Sequence, residues 1–211
     1  MEPTSKEQIL KKIRKALINP TPQPFPQVDS NTAIYQSSEM PLDELFATEF
    51  AKINGKFIFC ESNLEFIREL NKLADEKNWN HLYAWEMPLI EMFQQNDFRR
   101  CRIGKSLEKA DAGITTCECL VARLASIILT SKSASGRTLS IFPPVHIVVA
   151  YTSQLVYDTK DAIQLVMQKY QGNLPSMITI ATGPSRTADI EKTLVLGAHG
   201  PKEVYVFLID D

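Results

Sequence analysis

The chain has 211 residues, of which 44% are hydrophobic, and its 23 Lys plus Arg against 25 Asp plus Glu give a net charge of −2. That length fits one domain with an appended arm, and the charge balance excludes a surface built to neutralise nucleic-acid phosphates. The longest apolar run, Ile141 to Tyr151, is broken by Pro143, Pro144 and His146 and is too short to cross a bilayer, and Met1 to Gln8 lacks a secretory pattern, so the expected location is cytoplasmic.

Thr4-x-x-Glu7 fits a capping box, in which each side chain satisfies an orphan amide of a helix start. Ile9, Ile13, Ala16 and Leu17 then recur at helical spacing opposite Lys11, Lys12, Arg14 and Lys15, and Asn19-Pro20 ends the helix. Proline occupies every second position from Pro20 to Pro26, which makes a semi-rigid extended spacer. Residues 1–30 therefore read as an amino-terminal helix and Pro-rich linker, and 31–211 as an α/β domain. The apolar stripe of that helix is expected on its own domain or on a neighbouring subunit, which makes a homo-oligomer one expectation.

From about residue 41 helical and strand patterns alternate. Pro41 to Ile53 reads as a helix closed near Gly55, Lys56 to Cys60 as a strand, and Ser62-x-x-Glu65 as a second capping box opening a helix to about Lys77. His81 to Trp85 reads as a strand and Pro88 to Asn96 as a helix. β-rich runs follow at Cys119 to Arg123, Ser126 to Thr130 and Val145 to Ala150. Asp161 to Gln171 is helical, and Met177 to Ala181 and Glu203 to Ile209 are strands. The fold class is α/β: a mainly parallel sheet flanked by helices, with an added β-rich central portion.

Cysteine chemistry is bland. Cys60 and Cys101 stand alone, Cys117-x-Cys119 has no second pair, and the three histidines are scattered, so buried reduced thiols are expected, with no metal and no cofactor.

The segment with most chemistry is Thr182 to Glu191, directly after a strand, where open α/β sheets bind ligands. Gly183 permits close backbone approach, Pro184 stiffens the loop, Ser185 and Thr187 offer hydroxyls, and Arg186 brings a fork suited to carboxylate or phosphate. In a second reading the segment is a helix cap, with Thr187 bonding first-turn amides and Asp189 and Glu191 facing the helix dipole. A helix over 187–196 would be about 15 Å long and would separate His199 from Arg186. The Ser133 to Thr138 loop, with Gly136 and Arg137, is a candidate second anion loop, and His146 opens an apolar strand, where a satisfied core histidine is the commoner outcome. Glu61, Glu86 and Asp111 are lone strand-end carboxylates.

Residues 183–201 resemble the carboxyl-terminal signature of the LUD domain family, and Gly113-Ile114-Thr115, Leu120-Val121-Ala122, Gly136-Arg137 and Leu139 to His146 resemble its middle, so that the similarity runs over about 41–209. The resemblance implies the α/β fold shared by glucosamine-phosphate isomerases, ribose-5-phosphate isomerases and CoA transferases. It also implies an accessory subunit of a cytoplasmic L-lactate (organic acid) oxidation system, bound to iron–sulfur oxidoreductase subunits and to a small anionic ligand. The candidate ligand residues are Gly183, Pro184, Ser185, Arg186, Thr187, Asp189, Gly136, Arg137, His146 and His199. One departure stands out: where family members often carry Glu-Thr-Gly-Thr/Ser, this chain reads Arg123-Leu124-Ala125-Ser126, which weakens the case for catalysis more than for binding. A stand-alone enzyme acting on a sugar-phosphate or acyl-CoA substrate, and a non-catalytic ligand sensor, are the alternatives.

Overall fold

The computed structural model describes residues 4–18, 22, 38–104, 106–190 and 193–211, the side chains of 188–196 excepted. The proline spacer, Pro22 apart, and the expected boundary at 30/31 lie outside the described residues. The chain divides into an amino-terminal unit and a body over 38–211. In the first unit α1 (Ser5–Ile18) begins with the capping box read from the sequence: the Glu7 carboxylate accepts from the Thr4 amide at 2.8 Å, and the Glu7 amide donates to the Thr4 hydroxyl at 3.4 Å.

The body begins with α2 (Leu42–Lys52), β1 (Lys56–Cys60), α3 (Asn63–Glu76), β2 (Leu82–Tyr83), α4 (Met87–Gln95), β3 (Cys101–Arg102) and β4 (Ala112–Thr116). It continues through β5 (Cys119–Val121), β6 (Ser126–Thr130), β7 (Val145–Tyr151), β8 (Leu155–Val156), α5 (Thr159–Lys169) and β9 (Ile178–Ala181). A hairpin of β10 (Arg186–Ile190) and β11 (Thr193–Leu196), then β12 (Glu203–Ile209), completes it. Local chemistry sets the helix starts. Ser62 caps α3 by accepting from the Glu65 amide at 3.2 Å, while Glu65 reaches back one residue further than a standard box, to the Glu61 amide.

Six strands form a parallel sheet in the order β1-β12-β7-β4-β2-β3. Its central strands are near-continuous apolar runs because both faces are covered. On one face Ile147, Val149, Phe207 and Ile209 pack with Phe66 and Leu70 of α3 and Phe93 of α4. On the other, Val148, Val206 and Leu208 meet Phe46 and Phe50 of α2 and Leu120, Ile127 and Leu129 of a second sheet, ordered β8-β5-β6-β9. The outer face of that second sheet, Cys119, Val121 and Ile128, is closed by Ala162 and Val166 of α5. This is the β-rich centre expected from the sequence, stacked on the parallel sheet as its own layer.

Topology fixes one position as special. From β2 the chain runs through α4 to β3 on the outside, whereas β4 lies on the inner side of β2 and leads on to β7 and β12. The β2–β4 boundary is therefore the switch point of the sheet, where open α/β folds place ligands outside the carboxyl ends of their strands.

Candidate functional site

The described residues after β9 form no helix. Thr187 pairs with Val195 and Arg186 with Leu196 across the antiparallel β10–β11 hairpin, with a register shift before the Ile190–Thr193 pair. This corrects the helix-cap reading, and the physical reason is composition: Thr187, Ile190, Thr193 and Val195 are β-branched and favour extended backbone. Gly183 and Gly197, both at φ 75°, bend the chain at either end. The return of the hairpin brings His199 back beside its start. Ser185 is clasped there, its amide donating to the Pro201 carbonyl at 2.9 Å and its carbonyl accepting from the Gly197 amide at 3.0 Å.

Four of the residues singled out in the sequence, Gly183, Ser185, His146 and His199, consequently line one cleft of about 160 Å³. His146 is only 2% exposed, and its Nε2 lies 2.9 Å from the Thr115 hydroxyl oxygen. Burial pushes its pKa down to about 4, so the ring is neutral at physiological pH. The remaining flagged residues lie elsewhere. Arg186 donates to the Ile53 carbonyl at the carboxyl end of α2, the carbonyl that also sits 3.2 Å from where a side chain on Gly183 would project. Arg137 donates to the Ser176 hydroxyl at 2.8 Å, beside Gly136 at φ 58°. Pro184 is buried in its loop; Thr187 and Asp189 fall within β10, and the Asp189 side chain lies outside the described residues.

A second cleft, about 240 Å³, opens at the switch point. Glu86 follows β2 as the residue capping α4 and is 6% exposed. Its Oε1 accepts from the Ser133 and Ser135 hydroxyls at 2.6 Å each, and its Oε2 accepts from the Thr116 amide at 2.8 Å and from the Thr116 hydroxyl. Four donors saturate a carboxylate. Each of those hydroxyls thereby gives its one proton to Glu86, which leaves its oxygen an acceptor.

Across the cleft Glu118, 9% exposed, accepts from the Thr130 hydroxyl at 2.6 Å and the Tyr170 hydroxyl at 2.7 Å on Oε1, and from Lys169 Nζ at 2.7 Å on Oε2. Burial raises its pKa, but the bonds from Lys169, Thr130 and Tyr170 and the Lys169 charge outweigh that and hold it below the ordinary carboxylate value. The same pairing raises Lys169, so both stay ionised. Cys117 also lines the wall, with its thiol pushed well above its usual pKa by burial first and the neighbouring Cys119 and acids after, which leaves it protonated and a poor nucleophile. Lys132 stands at the rim, exposed and, among the described residues, without an ion-pair partner. The arrangement presents hydroxyl and carboxylate acceptors inside and ammonium groups at the edge.

Sequence reading passed over this cleft because its groups are far apart in the chain. Glu86 meets partners 30, 47 and 49 residues away, so it looked like a lone carboxylate. The one usable signal was the serine pair in the Ser133 to Thr138 loop, which belongs to the site through Ser133 and Ser135 rather than Arg137. At the family departure, Arg123 Nη2 donates to Asp158 Oδ1 at 3.0 Å and Ala125 sits at φ 50°; neither residue lines either cleft.

The LUD domain matches residues 43–209. Lactate utilization protein C of an Exiguobacterium species is 28% identical over 225 aligned positions, covering 99% of this chain and 97% of that protein. The proteins of the same name from Shouchella clausii and Bacillus subtilis are 34% and 35% identical over 59% and 51% of this chain. Those two alignments span 54% and 45% of the relatives, so the chain matches about half the length of several curated relatives. A crystal structure of a DUF162 family protein from Deinococcus radiodurans shares the fold, with a TM-score of 0.60 at 18% identity over 82% of this chain and 99% of that one.

Proposed function

This chain belongs to the LUD domain family, and from that premise we propose that it acts in lactate utilization as an accessory subunit that binds a small 2-hydroxy acid at the switch-point cleft. The observation that carries the reading is the Glu118–Lys169 pair with Lys132 at the rim of a cleft beyond the parallel strands. A 2-hydroxy acid needs one acceptor for its hydroxyl and a cation for its carboxylate. Glu118 Oε2 and the Thr116 oxygen supply the first, and Lys132 supplies the second. The size of the cleft agrees: about 240 Å³ falls below the roughly 300–1,000 Å³ of sites for drug-sized ligands, which favours a small acid over an acyl-CoA.

Oxidation of a 2-hydroxy acid to the 2-oxo acid releases two electrons and two protons; in this reading the electrons would pass to iron–sulfur clusters of partner subunits in the cytoplasm and the protons to solvent. The chain contributes recognition and orientation. The relatives' name, lactate utilization protein C, supports the system assignment; the cleft supports the ligand class.

Thermal unfolding with L-lactate and with pyruvate tests the proposal. At a hundred times its dissociation constant a ligand adds about 2.7 kcal/mol of stability, and Lys132→Ala should weaken binding about tenfold, the loss of roughly 1.4 kcal/mol. Absence of a shift with L-lactate would sink the ligand assignment, and pyruvate, which has no hydroxyl to donate, should shift the midpoint less. Affinity purification from lactate-grown cells tests the partners, and recovery of the chain without an iron–sulfur protein would remove that part of the reading.

A further inference from the structure

The hairpin cleft differs from the switch-point cleft in one respect that lactate recognition does not use: it is lined by a buried histidine with one ring nitrogen that no described residue bonds. His146 is 2% exposed and uses Nε2 on Thr115. Its other ring nitrogen, Nδ1, makes no hydrogen bond to any described residue and is not fully enclosed, and the ring lines the cleft. Water reaches and bonds a nitrogen that is not fully enclosed, so a ligand that replaces that water must supply the same bond.

The rest of the cleft limits what that occupant is. Among the described lining residues there is no carboxylate, lysine or arginine. Leu129, Ile141, Ala181 and Val204 give apolar walls, and Ser185 and His199 stand on the hairpin side. Burial holds His146 uncharged. A carboxylate or phosphate would therefore find no lysine or arginine to offset its desolvation, which is unfavourable. The volume, about 160 Å³, leaves room for one ring and little more. The backbone shapes the entrance: a side chain on Gly200 would come within 3.1 Å of the Ser185 Cβ, so glycine there lets the return loop close against Ser185.

We propose that the hairpin cleft is a second binding site, separate from the switch-point cleft, that takes an uncharged single-ring molecule with one hydrogen-bonding edge, the edge meeting His146 Nδ1 and the ring lying between Leu129, Ile141 and Val204. The Thr115 hydroxyl sets the polarity of that contact. When it donates to Nε2, Nδ1 carries the proton and the ligand edge is an acceptor; when it accepts, the ligand edge is a donor.

Ring-nitrogen NMR of the full chain tests the proposal, with pyrazole and phenol as uncharged probes and L-lactate as the charged comparison. Pyrazole, which both donates and accepts, should move the His146 Nδ1 resonance saturably at millimolar concentration while Nε2 moves much less. Phenol should do the same when the ligand edge is a donor. Ala181→Leu, which adds bulk to the wall without touching the ring, should weaken the pyrazole response about tenfold. If neither probe moves Nδ1 in the unaltered chain, the cleft holds only water and the proposal is overturned. If L-lactate moves Nδ1 as strongly as pyrazole, the uncharged class is wrong. Binding of lactate elsewhere leaves Nδ1 unchanged, so this outcome is independent of the test of the switch-point cleft.

Discussion

The two clefts share Leu129 on β6, yet they treat polarity in opposite ways. At the switch point two carboxylates are buried, and seven donors are brought to them from β4, the 130–135 segment and the end of α5. At the hairpin a single histidine is buried and kept neutral by burial, with half of its hydrogen-bonding capacity left open. The difference shows how one fold can build a carboxylate-lined cleft and a cleft lined by no carboxylate, lysine or arginine among the described residues, with Leu129 in both walls. Charge persists where a parallel strand ends and loop amides and hydroxyls are available. Neutrality results where glycine-rich backbone folds over the side of the sheet. The two should therefore fail separately.

The largest expected effect comes from removing the hub of the charged cleft. Glu86→Leu leaves the Thr116 amide and three hydroxyls without their acceptor in a buried setting, and breaking such a network costs about 4 kcal/mol. Urea denaturation should show that loss, while Glu86→Gln, which keeps an oxygen acceptor, should lose less than half as much. In Glu86→Gln the His146 ring resonances should stay where they are; a shift would mean that the clefts form one cooperative unit.

Next in size is the pH dependence of the neutral cleft. The unfolded histidine titrates near its ordinary value of about 6.5, and the folded one at about 4. Between those values the unfolded state binds the extra proton, so stability rises with pH there. The contribution is complete above about 6.5 and is lost as pH falls to about 4, a total of about 3 kcal/mol. Unfolding free energies across that window should show this slope in the parent and lose it in His146→Phe. A parent curve without it would mean that the ring is hydrated and that the hairpin cleft is more polar than its lining suggests. Smaller again is the pair of ligand effects: Lys132→Ala should weaken lactate about tenfold and spare pyrazole, and His146→Phe should do the reverse.

How far the sequence displayed these features follows from the range of the interactions. The parallel core was legible because β7 and β12 are runs of Val, Ile and Phe, and burial on both faces requires that pattern. Both capping boxes lie within four residues and were read correctly in outline. The short strands β3 and β8, of two residues each, carry no period that a sequence can display. The hairpin was misread because Gly197 imitates a helix stop and Asp189 and Glu191 imitate first-turn acids; the β-branched residues between them were the better guide. Four hairpin-cleft residues were named without the means to see that they meet, since their convergence depends on the turn. Glu86 reads from sequence as a lone carboxylate because its donors lie 30, 47 and 49 residues away.

The smallest expected effect concerns Ala125, at the turn that leads into β6 and hence into the wall common to both clefts. It is a buried non-glycine residue in left-handed backbone, at φ 50° and ψ 42°, a region where glycine is the commoner occupant. Such a conformation costs an L-residue roughly 1–2 kcal/mol, and that gain on changing Ala125→Gly is opposed by two losses. Glycine raises the entropy of the unfolded chain by about 0.4–1 kcal/mol, and the lost methyl forfeits about 0.8 kcal/mol of burial. The contributions nearly cancel, so Ala125→Gly should change the unfolding free energy by no more than about 0.5 kcal/mol and leave both lactate and pyrazole affinity within about twofold. A gain above about 1 kcal/mol would mean that the methyl contributes little packing and that the shared wall is looser than either cleft requires. Ala125→Val is the control in the other direction, because a β-branched side chain in this backbone region is strained beyond what burial offsets, and it should destabilise the turn and both clefts together.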